Sequence, residues 1–303
     1  MSSHRDGERR DIYSEITSQL IAAIEADPGK PVLPWRRSSR PLFRPVNALT
    51  ENAYNGINVV SLWVAAEVRH YATPLWATYR QWSELGAQVR KGEKSSLVIF
   101  YKEFDADPDP ADENDDGKRR VARASYVFNA EQVDGYQRPD APKSRGPIER
   151  ILTADNFVNA TKARIEHGGE SAYYRPSTDH IQMPAEGLFC ETPSMSRTEG
   201  YYATLVHELT HWSGAKQRLD RDMGKRFGDQ AYAAEELVAE IGAAFLCAEL
   251  GITQETRADH ARYLAQWLKL LKGDSRAIFT ASAKASEAAE YLKRFSAEVS
   301  VAA

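Results

Sequence analysis

The run His207-Glu208-Leu209-Thr210-His211 sets two imidazoles one helical turn apart, with a carboxylate beside the first. Side chains four apart share a helix face, so both rings can ligate one divalent ion, most simply zinc. Glu208, on the neighbouring face, can then reach the water that such an ion activates. The chemistry this allows is hydrolysis of a peptide bond, with Glu208 as general base. A zinc site of this type takes a third protein ligand and keeps a fourth position for water. The run 233–245 can supply it, because Glu236 and Glu240 stand four apart on one helix face.

These residues need two helices to hold them. Ser196-Arg197-Thr198-Glu199 reads as a capping box, and Tyr201, Tyr202, Leu205, Val206 and Leu209 give the helix that follows an apolar side to bury. Gly214 sits where that helix should stop, which places the histidines mid-helix. In the second helix Leu237, Ile241, Ala244 and Phe245 recur at helical spacing, so two carboxylates on an otherwise small and apolar stripe require something positive to meet them. Glu235 points about 100° away from Glu236 and reads as a solvated neighbour. Tyr232, Tyr202 and His180 could each donate to a tetrahedral oxyanion, and no motif selects among them.

The pattern resembles the gluzincin branch of the zincin metallopeptidases, in which HExxH is followed by a glutamate ligand in an ExxA[D/N] helix. The matching run here is Glu236-Leu237-Val238-Ala239-Glu240, with glutamate in place of the aspartate or asparagine. The resemblance implies that His207, His211 and Glu236 hold the metal and that Glu240 orients one ligand histidine.

The chain has 303 residues, of which 42% are hydrophobic, enough for two domains of ordinary size. Its two cysteines, Cys190 and Cys247, form no CxxC pair and argue against a disulfide scaffold; Cys247 reads as a small buried side chain. With no apolar leader at its start and no run long enough to span a bilayer, the chain is expected to be soluble and cytosolic, with no membrane partner.

The net charge of −4 is unevenly spread. From Arg36 to Lys102 ten Lys or Arg stand against four Glu, interleaved with aromatic residues. Such a mixture suits single-stranded nucleic acid, whose bases stack on rings while cations track the phosphates. The candidate DNA-binding residues are Trp35, Arg36, Arg37, Arg40, Arg44, Tyr54, Trp76, Arg80, Arg90, Lys91 and Lys94, with Trp35 the foremost base platform. Trp63, within Val59 to Ala65, reads as core.

Along the chain, 11–26 reads as an amphipathic helix with an Asp cap, and 96–101 and 124–128 as strands. Between those strands, 105–116 carries seven acids and two prolines and reads as a solvated excursion. The proline-bearing stretch 139–147 is expected to link a domain over 1–138 to another over 148–303. The second domain is expected to open with helical spacing over 148–167, to form short strands at 172–175 and 180–184, and to close with helices over 253–272 and 277–295. The expected class is α+β: a mixed α/β single-strand-binding domain, then a mainly helical zincin-like domain with a small sheet.

Further segments extend the resemblance. Tyr54-Asn55-Gly56-Ile57-Asn58, Trp76-Ala77-Thr78-Tyr79-Arg80-Gln81-Trp82, the run from Gly86 to Lys94, and Val127-Phe128-Asn129-Ala130-Glu131-Gln132-Val133 resemble the N-terminal domain of ArdC-type antirestriction proteins, a domain also associated with TraC-type conjugative primases. The resemblance implies a role on mobile plasmids, with single-stranded DNA and an unidentified protein substrate as partners. Two classes of function stay open: a peptidase brought to proteins on DNA, and a DNA-coating protector whose metal site is structural.

Overall fold

A computed structural model describes residues 11–26, 33, 43–105, 118–137, 147–189, 191, 195–224, 230–252 and 260–301. Trp35, Arg36, Arg37, Arg40 and Cys190, most of the acidic run and most of the linker lie outside the described residues. The fold is α+β, as expected.

Helix α1, Ile12–Glu25, starts where Asp11 accepts hydrogen bonds from the backbone of Tyr13 and Ser14. It buries Ile16, Leu20, Ala23 and Ile24, the stripe its periodicity marks out. The next elements are β1 (Val46–Asn47), α2 (Ile57–Arg69), β2 (Leu75–Thr78), α3 (Tyr79–Glu84), β3 (Gln88–Val89), β4 (Ser96–Asp105), β5 (Lys118–Asn129) and β6 (Val133–Asp134). A four-stranded sheet has the order β1-β2-β5-β4, with β4 and β5 forming a long antiparallel hairpin. The β4 strand would expose a bare edge, and α2 covers it: the Asn58 carboxamide accepts from the Ile99 N–H and donates to its carbonyl, both at 2.7 Å. The Ser61 hydroxyl donates to Leu97 O at 2.9 Å. An amide side chain thereby imitates one rung of a strand.

The C-terminal part comprises α4 (Pro147–Ala160), β7 (Arg164–His167), β8 (Tyr173–Arg175), β9 (His180–Met183), α5 (Arg197–Ser213), α6 (Gln230–Leu250), α7 (His260–Gly273) and α8 (Ala277–Val301). Where sequence spacing predicts one helix over 148–167, the helix stops at Ala160 and residues 164–167 join a three-stranded sheet, order β7-β9-β8. The turn that ends the helix places Lys162 at φ 55°, a left-handed conformation no helix can continue. Helix α6 packs against both α5 and α8 and is buried nearly all round, so even the glutamates in its middle face protein rather than solvent. A Cβ on Gly242 would lie 2.7 Å from Thr210 Cγ2, so the missing side chain lets α6 come close to the motif helix.

One hydrophobic core runs across the stretch expected to separate two domains. It joins Leu20, Val60, Trp63 and Trp76 to Leu205, Leu237, Phe245 and Leu292. The Trp63 and Phe245 rings lie 5.6 Å apart, and the Trp63 indole donates to Phe43 O at 2.9 Å. Polar ties follow the same seam: the Gly56 N–H donates to Ser286 Oγ at 2.9 Å, and the Thr17 hydroxyl to Ser275 O at 2.7 Å. Cys247 is fully buried, as its size suggests.

Candidate metal centre and nucleic-acid face

The capping box forms as the sequence suggests: the Ser196 hydroxyl accepts from the Glu199 N–H at 3.2 Å, and the Glu199 carboxylate accepts from the Ser196 N–H at 3.1 Å. The helix it starts carries His207, Glu208 and His211 in its buried stretch. Across from them α6 brings Glu236. His207 Nε2 lies 3.7 Å from Glu236 Oε2, and His211 Nε2 lies 3.6 Å from Glu236 Oε1. The three residues offer ligand atoms that all lie within 4.8 Å of one another. Ligand bonds of about 2.0–2.1 Å in a tetrahedral arrangement set donor atoms about 3.4 Å apart, so the two histidine–glutamate separations stand within a few tenths of an ångström of the spacing a small divalent ion needs.

Electrostatics point the same way. Helices α5 and α6 bury Glu208, Glu235, Glu236 and Glu240 near the buried Arg221 guanidinium, and among the described residues this leaves an excess of acidic groups that a cation would offset. Burial alone would lower the His211 pKa, but the Glu236 charge, the Glu235 hydrogen bond and the Glu208 charge hold it up. Burial works against a charged Glu236 too, yet His211 and His207 keep its carboxyl well below the usual carboxylate range.

The histidine-orienting group is Glu235, which corrects its reading as a solvated neighbour. Its carboxylate lies 3.2 Å from His211 Nδ1, turning Nε2 of that ring toward Glu236. Arg221 grips the carboxylate, donating from Nε at 3.0 Å and from an Nη at 2.8 Å, and also donates to Ser213 Oγ and Thr210 O. This guanidinium arrives from the loop after α5, across Gly214, where a Cβ would stand 2.7 Å from it. No helical periodicity could reveal that, because the partner that buries Glu235 comes from irregular chain. Glu240 is fully buried one turn beyond Glu236. His207 Nδ1 has no hydrogen-bond partner among the described residues, and the contact seen to orient a candidate ligand histidine is that of Glu235 with His211.

Geometry also separates the three oxyanion candidates. The Tyr202 hydroxyl donates to Asp155 Oδ1 at 2.9 Å, and His180 Nδ1 lies 2.7 Å from the Thr178 hydroxyl, so both are engaged elsewhere. The Tyr232 hydroxyl lies 3.3 Å from that of Tyr263 and close enough to Glu236 to feel its charge. Burial, then Tyr263 and the Glu236 charge, push its pKa upward, so it stays a proton donor.

In the N-terminal half three candidate DNA-binding residues are structural. Trp76 is 1% exposed and Tyr54 is 6% exposed; both lie in the core, where their area is worth more than at a surface. Arg44 reaches across the seam to Glu249, donates within its own half to Asn55 Oδ1, and its Nε donates to Tyr54 O at 3.0 Å. Composition cannot distinguish such a clamp from a phosphate contact. Arg80 is exposed and pairs with Glu84, while Arg90 is held by Glu93 at 2.7 Å and by the Glu131 carbonyl. Lys91 and Lys94 are exposed.

The helix pair, the converging His207, His211 and Glu236 and the buried Glu208 make a zincin-like site that shares one core with the α/β half. Residues 152–284 match the zincin-like metallopeptidase family, and residues 10–128 match the N-terminal domain of anti-restriction factor ArdC. The fold is similar to the crystal structure of antirestriction ArdC protein from R388 plasmid in its metal-free form, with TM-score 0.76 and 40% identity, covering 95% of this chain and 99% of that one. The Mn(II)-bound form of that protein gives TM-score 0.74. Protein y4eC of Sinorhizobium fredii is 47% identical over 287 residues, which span 93% of this chain and 91% of y4eC. DNA primase TraC of Escherichia coli is 35% identical over 303 residues; the match takes in 95% of this chain but only 27% of that primase. The chain belongs to the ArdC antirestriction family.

Proposed function

We propose that the protein shields incoming DNA from restriction by holding single strands on its N-terminal half and cutting a protein found there with its metal centre. The observation that carries the peptidase reading is the convergence of His207, His211 and Glu236 with a buried Glu208 one residue along the same helix. A purely structural site has no use for that fourth group. Zinc suits the two imidazoles and one carboxylate, and the Mn(II)-bound form of the relative supports a divalent ion.

A divalent ion bound there supplies Lewis-acid polarisation and a water nucleophilic near neutral pH. Every other part of the reaction belongs to the chain. Glu208 takes the proton of the attacking water and delivers it to the departing amine nitrogen. Glu235, fixed by Arg221, holds His211 in one tautomer and orientation. Tyr232, beside Glu236, donates its hydroxyl to the oxygen of the substrate carbonyl as charge builds there.

Glu208→Gln tests this reading, since it preserves shape and removes the base. The variant should retain metal and folded stability, lose peptide hydrolysis including self-cleavage, and fail to protect transferred DNA in restricting cells at matched protein level. Full protection by the variant would favour the second class, a DNA-coating protector with a structural metal.

A further inference from the structure

Away from the metal centre, an open cavity of about 740 Å³ lies between α3, the turn after β3 and the sheet. Its walls include Tyr79, Val89 and Phe128, with Lys91 also lining it. That volume is within the range of small-molecule sites, about 300–1,000 Å³. The strand register explains why rings gather here. Phe128 pairs with Ala77, and Tyr126 pairs with Leu97; being two residues apart on β5, both rings project from one side of the sheet. The opposite side carries Trp76, Val98 and Val127 into the core. On the cavity side Tyr79 stays 53% exposed and Tyr126 41% exposed, a cluster of aromatic surface rather than an isolated ring.

The polar groups divide by role. Glu93 and Asp134 also line the cavity, but Arg90 engages both, at 2.7 and 3.6 Å, so these three close on one another. Gln88 donates to the Tyr79 hydroxyl at 2.6 Å, tethering the edge of that ring. Lys91 is exposed and makes no ion pair among the described residues. Of the cations lining the cavity, Lys91 therefore remains for a ligand beside the exposed Tyr79 ring. Stacking faces with a neighbouring ammonium suit a nucleotide of a single strand, whose bases are unpaired and whose phosphates are continuous.

Resting on the single-strand reading above, we propose that this cavity captures one nucleobase of a bound strand against Tyr79, with an adjacent phosphate on Lys91 and a neighbouring base on Tyr126. Arg90 serves as scaffold rather than as a phosphate contact.

The test uses the full chain and a labelled oligothymidylate, read by fluorescence anisotropy, beside a strand of the same length made of abasic units. Tyr79→Ala should weaken binding of the base-bearing strand about 10-fold or more and leave the abasic strand unchanged, because stacking needs a base. Tyr79→Phe should bind nearly as wild type. Lys91→Ala should weaken both strands and flatten the log affinity against log salt slope by about 0.7, one counterion's share for a single strand. Phe100→Ala, which removes an exposed ring on the opposite side of the sheet, should change neither. Equal weakening of both strands by Tyr79→Ala would show a structural ring and overturn the proposal. Weakening by Phe100→Ala with none by Tyr79→Ala would move the strand to the other face and also overturn it. If wild type binds no single strand at all, the DNA reading itself fails, an outcome distinct from either.

Discussion

Replacing Glu235 should separate the stability of this protein from its hold on metal. Its side chain and that of Arg221 are 4% and 2% exposed, so Glu235→Ala strands a guanidinium in the interior. Breaking such a buried pair costs about 3–5 kcal/mol. The same change frees the His211 ring to rotate or take the wrong tautomer, which for a ligand-orienting carboxylate lowers metal affinity by about 10–100-fold. A second substitution, Arg221→Met, removes the stranded charge while keeping apolar bulk, and the double variant should regain most of the lost stability. It should not regain metal affinity, because His211 still lacks its acceptor. Denaturant unfolding in chelator measures the first quantity; competition against a chromophoric chelator measures the second. If both recover together in the double variant, or if Glu235→Ala binds zinc as wild type does, the orienting role is refuted and the pair serves only to hold the loop after α5.

Three further outcomes are expected. Glu236→Ala should lose the bound ion, since two histidines leave the site short of a ligand; unchanged metal content by elemental analysis would sink the assignment. Trp76→Ala should cost about 3–5 kcal/mol of stability, with DNA affinity per folded molecule unchanged, as judged by titration well below the unfolding midpoint. The Arg218 hydrogen bond holds the Asp179 carboxyl below its ordinary range, so its contribution is present at neutral pH and fades as pH falls through that depressed value. Asp179→Asn should therefore destabilise modestly near pH 7, by about 1 kcal/mol or less for so exposed a group, and should match wild type in strong acid. A gap that persists in acid would point to lost packing instead.

The parts of this molecule legible in its sequence are those written in neighbouring residues. The capping box at Ser196, the Asp11 cap and the four-residue spacing of His207 and His211 are local rules, and the chain obeys them. Glu236 was reachable because helix α6 repeats the same logic one connection later. Glu235 was not, since its burial depends on a loop arginine threading past Gly214. Nor did cations mixed with rings say which were inside: Trp76 and Tyr54 pack in the core and Arg44 clamps the seam, whereas Tyr79 and Lys91, in the same stretch, border an open cavity. Side selection of that kind is set by strand register and helix placement, which composition does not encode.

Trp63 against Phe245 carries a lesson about inheritance. Phe245 belongs to the helix that bears Glu236, and Trp63 to the helix that seals the sheet edge beside β4. A recombination event that kept one half and replaced the other would leave a sheared apolar surface on each fragment, a hazard for aggregation. Selection should therefore pass this segment between genomes whole rather than in halves. The primase match behaves that way: it takes nearly this entire chain as one block within a much longer polypeptide.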